Sequence, residues 1–266
     1  MEEILKSIIL GIIQGLTEFL PVSSSGHIEL GKVILNLQFK DNLLFSIVVH
    51  AATALSTVVI FRKRIVEILR GLLTFNFQNE SFRFSIRIIL SMIPAALVGV
   101  LLKEELEALF NGNVLLVGSM LLVTGVLLLF ANNAKETTED NSYFKSIILG
   151  IAQAIAILPG ISRSGATIGT ALLLKIDRQK AAEFSFIMVL PLILGATLLD
   201  VKDYMEEGVE LQVQTATLVA GFIAAFISGL FACKWMIAIV KRAKLSYFAY
   251  YCFAVGAVGV IYSLVA

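Results

Sequence analysis

The chain has 266 residues, of which 58% are hydrophobic and 15% charged, with a mean hydropathy of +0.90. A soluble domain carries about 25% charged residues, so a water-soluble globule is excluded. Lys and Arg number 21 against 20 Asp and Glu, a formal net charge of +1, which lacks the basic excess that a nucleic-acid backbone requires, and nucleic acid is not expected as a partner.

In chain order, Met1-Glu2-Glu3 is followed by no small-residue cleavage site and is not expected to begin a removable signal peptide. The apolar segment from Ile4 to Leu37 is broken near its middle by Pro, Gly and a serine cluster, and so is a later one from Ser146 to Lys175. Polar backbone at membrane depth is tolerated only where protein or a water-filled cavity surrounds it, so both segments are predicted to be re-entrant helix-loop-helix hairpins. Six further stretches carry the roughly 20 apolar residues that crossing a bilayer needs. They run from Asn42 to Phe61, Phe84 to Leu102, Val114 to Ala131, Ala181 to Leu199, Val213 to Cys233 and Tyr247 to Val265. Between them lie short polar linkers such as Asn132 to Tyr143 and Asp200 to Glu210. Cys233 and Cys252 sit in apolar runs without metal-like spacing and are expected to be buried small hydrophobes.

The fold class expected is therefore an all-α polytopic membrane protein with six transmembrane helices and two re-entrant hairpins, forming one integral membrane domain over residues 1–266. Basic residues collect at Arg62-Lys63-Arg64, at Arg70, Arg83 and Arg87, and at Lys241, Arg242 and Lys244. Short cytoplasmic loops carry such an excess, which predicts that the first span runs outward to inward and that the C-terminus faces outside. Acidic residues collect on the other side, at Glu104, Glu105 and Glu107 and from Asp200 to Glu210.

The strongest organisational signal is a repeat. Residues 6–14 recur 139 positions later as residues 145–153 with eight of nine identities, from Lys6-Ser7 to Gln14 and from Lys145-Ser146 to Gln153. Leu20-Pro21 recurs as Leu158-Pro159, and Ser23, Ser25 and Gly26 recur as Ser162, Ser164 and Gly165. Repeat one spans about residues 4–131 and repeat two about 145–265. Each unit has one hairpin and three spans, an odd number, so the second copy is expected upside down, with the serine loops meeting near the bilayer interior.

Ser7, Gly11, Gln14 and Glu18 lie on one helical stripe. Gln14 could serve packing through an interhelical hydrogen bond. Glu18 is a stronger candidate, because a carboxylate at membrane depth costs roughly 2.5–3.5 kcal/mol and points to functional use. The following Pro21-Val22-Ser23-Ser24-Ser25-Gly26-His27 loop can cradle an anion at a helix start, or serve as an ordinary N-cap. In this loop Gly26 can supply a left-handed or closely approached backbone. His27 beside the hydroxyls could be an acid, a base, a metal ligand or an interhelical hydrogen-bonder.

In the second loop, Pro159-Gly160-Ile161-Ser162-Arg163-Ser164-Gly165-Ala166-Thr167, Arg163 replaces Ser24 and Ala166 replaces His27 at the repeat offset. An Arg flanked by hydroxyls suits a phosphate, the alternative being a side chain that snorkels to the interface. Opposed anion cradles, an acid and a His within a membrane describe a site for a lipid phosphate.

At these residues the chain resembles the undecaprenyl-diphosphate phosphatases of the bacitracin-resistance family. That family is marked by an (E/Q)xxxE helix, a PVSSxGH-like loop and a later PGxSRSxxT motif, here Gln14 to Glu18, Pro21 to His27 and Pro159 to Thr167. The resemblance implies hydrolysis of the C55 lipid diphosphate to monophosphate and inorganic phosphate on the outer face of the bacterial cell membrane, recycling the carrier for peptidoglycan synthesis. It implies a divalent cation, Mg or Ca, held by Glu18 with Gln14 in the motif's first position. It further implies Glu18, Ser24, His27 and Arg163 as catalytic residues, with Glu18 holding the metal or activating an attacking group. Ser24 would be nucleophile or phosphate ligand, His27 its base or acid, and Arg163 the diphosphate clamp. Gln14, Ser23, Ser25, Gly26, Ser162, Ser164 and Thr167 would bind substrate. Many members carry Glu where Gln14 stands, and a neutral amide speaks against a cage of two carboxylates. His50 and Glu29 fall outside the motifs and receive no role. The expected partners are the isoprenyl diphosphate and the bilayer, with oligomeric state left open, a homodimer included. The reading from a different class is a transporter or flippase for a lipid phosphate, which inverted repeats also suit.

Overall fold

The computed structural model describes residues 2–34, 42–73, 76–109, 112–206, 214–242 and 244–265. Met1, Leu37, Glu207, Glu210 and Val213, on which some of the expectations above fall, lie outside them. All the regular structure among the described residues is helical, in the order α1 (Glu2–Phe19), α2 (Ser24–Ile34), α3 (Asn42–Leu73), α4 (Glu80–Leu101), α5 (Lys103–Ala108), α6 (Val114–Asn132), α7 (Tyr143–Ile155), α8 (Arg163–Leu173), α9 (Arg178–Met188), α10 (Leu190–Glu206), α11 (Thr215–Lys241) and α12 (Ser246–Val265).

Six segments are long and apolar enough to cross a membrane, namely Leu44–Leu73, Glu80–Leu101, Val114–Asn132, Arg178–Leu199, Thr215–Lys241 and Ser246–Val265. In their most apolar windows only 22–44% of residues are buried inside the protein. The remaining apolar surface, including Ile93, Leu97, Phe130, Phe231 and Val258, faces outward, the inverse of a soluble fold and the arrangement a lipid solvent favours. The chain is a multi-pass membrane protein.

Several boundaries differ from the expected ones: α4 begins at Glu80 and α11 runs past Cys233 to Lys241. Helix α3 continues through Arg62-Lys63-Arg64 to Leu73, because basic residues do not end a helix and Arg64 finds acceptors in Glu67 at 3.2 Å and Glu183 at 2.7 Å. The fourth span is divided at Val189 into α9 and α10. Pro191 lies just beyond the break, and it has no N–H to give the carbonyl four residues back. The linker expected from Asp200 instead begins as the continuation of α10 to Glu206.

Small residues set the packing, as they do where lipid removes any hydrophobic preference for helix contact. Helix α1 packs against α11 and α7 against α4. A Cβ on Gly11 would lie 2.5 Å from the Gly221 carbonyl oxygen, and one on Gly150 would lie 2.5 Å from that of Ser91. Ser7 Oγ donates to the Thr217 carbonyl at 2.6 Å. Helix α12 lies along α6, where Gly118 and Gly256 approach each other's backbones. Shifted by 139, the ends of α2 coincide with those of α8, and α4 falls within α11. The first hairpin's leading helix therefore rests on the second span of the other copy, and the reverse holds for α7. Cys233 and Cys252 are both free and buried.

Candidate active site

The two serine loops meet. A Cβ on Gly26 would lie 3.3 Å from Gly160 Cα, one on Gly165 would lie 3.3 Å from Pro21 Cβ, and Ser164 Oγ donates to the Leu20 carbonyl at 3.1 Å. Each loop is closed in the same way. Gly26 N–H donates to Ser23 Oγ at 3.3 Å and Gly165 N–H to Ser162 Oγ at 3.1 Å, so Ser23 and Ser162 cap α2 and α8. Ser23 Oγ also lies 3.4 Å from Ser25 Oγ, and Ser162 Oγ 3.3 Å from Ser164 Oγ. The left-handed backbone positions are Ser23 (φ 70°) and Gly160 (φ 96°). Gly26, already inside α2, instead provides the close approach.

Glu18 is the centre of the site. It is 6% exposed, and its Oε2 accepts from Gln14 Nε2 at 2.9 Å and from Ser24 Oγ at 2.7 Å. Its Oε1 accepts from Arg163 Nη2, an ion pair that joins the two copies of the repeat. Two polar atoms beside this pair are buried and unpartnered, Oε1 of Gln14 and Nη1 of Arg163. An orphaned acceptor and an orphaned donor beside one carboxylate leave hydrogen-bonding capacity that a polar ligand can take up. Gln153, the counterpart of Gln14, is likewise 3% exposed with both amide atoms unpartnered.

His27 does not reach Ser24. Its Nδ1 lies 2.8 Å from the Ser23 carbonyl and its Nε2 lies 2.8 Å from the Tyr251 hydroxyl. The group in contact with the Ser24 hydroxyl is Glu18. Thr167 is turned toward α9, donating to the Arg163 carbonyl at 2.8 Å and sharing a hydrogen bond with Ser185.

Three residues near these groups carried no motif signal. His50 on α3 lies within electrostatic range of Glu18, its Nδ1 fixed 2.8 Å from the Ser46 carbonyl. Thr124 on α6 accepts the Ser162 N–H at 3.0 Å and holds the second loop. Tyr251 on α12 contacts His27. The spacing four residues after Ser46 could have marked His50 as a polar position on an apolar helix, while the other two are set by tertiary contact alone.

Among the described residues no group of three or more His, Cys, Asp and Glu side chains could hold a metal ion. Glu18 and the free Oε1 of Gln14 are nonetheless hard oxygen donors. One carboxylate with an amide suits Mg or Ca whose remaining positions are filled by phosphate oxygens and water, and does not suit an all-protein cage.

A family profile described as "BacA: Bacitracin resistance protein BacA" matches residues 7–258. The chain is 56% identical over 264 residues to an "Undecaprenyl-diphosphatase" of Christiangramia forsetii, covering 98% of each chain. It is 51% identical over 260 residues to one of Bacteroides fragilis, covering 97% of each. It is 49% identical over 262 residues to one of Bacteroides thetaiotaomicron, covering 98% of this chain and 99% of that one.

Proposed function

Because the chain belongs to the bacitracin resistance protein BacA family, we propose that it is an integral membrane phosphatase that hydrolyses undecaprenyl diphosphate to undecaprenyl phosphate and inorganic phosphate. The observation that carries this reading onto particular residues is the Glu18–Arg163 pair with a free guanidinium nitrogen on one side and a free amide oxygen on the other.

Arg163 clamps the diphosphate, its bidentate fork exchanging Glu18 for phosphate oxygens. That exchange frees Glu18 to take the proton of the Ser24 hydroxyl it already accepts at 2.7 Å. Ser24 Oγ attacks the terminal phosphorus, the anhydride P–O bond breaks, and the lipid monophosphate leaves. Water then cleaves the phosphoserine, releasing inorganic phosphate. The first-turn N–H groups of α2 and α8 lack intrahelical acceptors and point their dipoles at the charge being moved. Gln14 Oε1 and Glu18 would hold the divalent cation, which supplies neutralisation of diphosphate charge when bound.

The same reading makes both hairpins re-entrant and the second copy inverted. At 1.5 Å per residue, the 11 residues of α8 and the 13 of α7 reach about 17–20 Å, short of a hydrocarbon core of about 30 Å. The exchanged packing of α1 on α11 and α7 on α4 supports a two-fold relation in the membrane plane. With basic ends inside, the site opens to the outer face of the bacterial cell membrane.

Purified protein in detergent should release phosphate from undecaprenyl diphosphate, lose that activity with a chelator and regain it with Mg or Ca. Lipid counterflow in proteoliposomes without any phosphate release would overturn the reading in favour of a carrier.

A further inference from the structure

His27 is held at both ends of its ring. The Ser23 carbonyl can only accept, so Nδ1, 2.8 Å away, carries the proton. In the neutral ring Nε2 is therefore the basic atom, and it accepts from the Tyr251 hydroxyl at 2.8 Å. The two rings are also stacked, with centroids 5.5 Å apart and planes 13° from parallel. These contacts come from Ser23, which caps α2, and from α12, and fix tautomer, direction and tilt together.

A half-exposed residue of the second copy is thus the partner of the only imidazole in the first loop. Its neighbour strengthens the placement, since Cys252 Sγ lies 3.6 Å from the Pro21 carbonyl and ties the same turn of α12 to the start of that loop. Nothing in the packing of α12 on α6 requires a hydroxyl at position 251, because that seam is built from Gly118, Gly125 and Gly256.

We propose that Tyr251 is the positioning residue of His27: while the Ser23 carbonyl sets the Nδ1–H tautomer, the Tyr251 hydroxyl and its stacked ring hold the direction and tilt of the imidazole beside the phosphate site. The inference rests on the acid or base role that the family resemblance implies for His27. Imidazoles commonly take their working tautomer from whatever the second nitrogen bonds, and here the two nitrogens have different partners. Position 251 therefore acts on the reaction through His27 and not by touching the diphosphate.

The chain has two histidines, so 15N-histidine labelling gives one resonance set for His27 and one for His50 as an internal control. Tyr251→Phe keeps the ring and its stacking and removes only the hydroxyl. The variant is expected to move the His27 Nε2 resonance, leave His50 in place, and lower kcat about tenfold with KM little changed, the loss of one hydrogen bond. In a His27→Gln background the same substitution should have no further effect on kcat. A Tyr251→Phe protein with an unmoved His27 resonance and wild-type kcat, beside an inactive His27→Gln, overturns the role of Tyr251 alone. Full turnover by His27→Gln overturns the role of His27 and this inference with it.

Discussion

Removing Arg163 should destabilise the protein more than removing the carboxylate it pairs with. In Arg163→Ala the Glu18 charge stays 5% exposed at membrane depth with only Gln14 and Ser24 to solvate it. Breaking a buried pair by deleting one member costs about 3–5 kcal/mol, and the two remaining hydrogen bonds place this case at the lower end, about 3 kcal/mol. In Glu18→Gln the charged group left is Arg163, which is less buried at 23% side-chain exposure and keeps a neutral acceptor in the new amide oxygen, so the cost falls to about 1 kcal/mol. The double variant, with no charge left to solvate, should recover most of the difference. For a chain of this size about 3 kcal/mol corresponds to roughly 6–12 °C in Tm. Thermal unfolding of the four proteins in one detergent measures it. A double variant whose loss equals the sum of the singles, or an Arg163→Ala protein as stable as the parent, would refute the reasoning.

Other expectations follow from single contacts. Gly15→Ala places a Cβ 2.0 Å from Ser228 Oγ and 2.5 Å from the Ala225 carbonyl, which should cost about 1–3 kcal/mol as α1 and α11 are pushed apart. Gly99→Ala meets nothing within 4 Å and should be neutral or up to about 1 kcal/mol stabilising in the same unfolding assay. Glu183→Gln breaks the pair with Arg64 while both side chains are 29% exposed, and should change stability by less than about 1 kcal/mol. Ser24→Ala should lose the covalent phosphoserine that acid quenching traps in the parent, and at least about a thousandfold in phosphate release.

Much of the architecture was legible because membrane solvent makes sequence signals simple. Apolar runs of the required length marked five of the six spans as single helices, and the repeat at offset 139 marked the two hairpins as equivalent, as the matching bounds of α2 and α8 bear out. The break at Val189 was missed because hydropathy does not register a lost hydrogen bond, although Pro191 signalled it. At the site, Gln14 and Glu18 were adjacent on a stripe that periodicity reveals, and structure adds that Glu18, Ser24 and Arg163 form one hydrogen-bonded group. The partners of His27 were not legible, since Tyr251 lies 224 residues away and nothing local distinguishes it from Tyr250. His50 was similarly hidden, because the polar residues around it on α3 form no motif.

The central claim is that Glu18 and Ser24 of one repeat and Arg163 of the other act as one unit on a lipid diphosphate. The direct measurement is phosphate release from undecaprenyl diphosphate by Glu18→Gln, Ser24→Ala, Arg163→Ala and the triple variant, each confirmed folded in detergent. Every single variant should fall by about a hundredfold or more, and the triple should be scarcely worse than the poorest single, as groups acting together behave. Near-parental turnover by any one of the three folded single variants would contradict it.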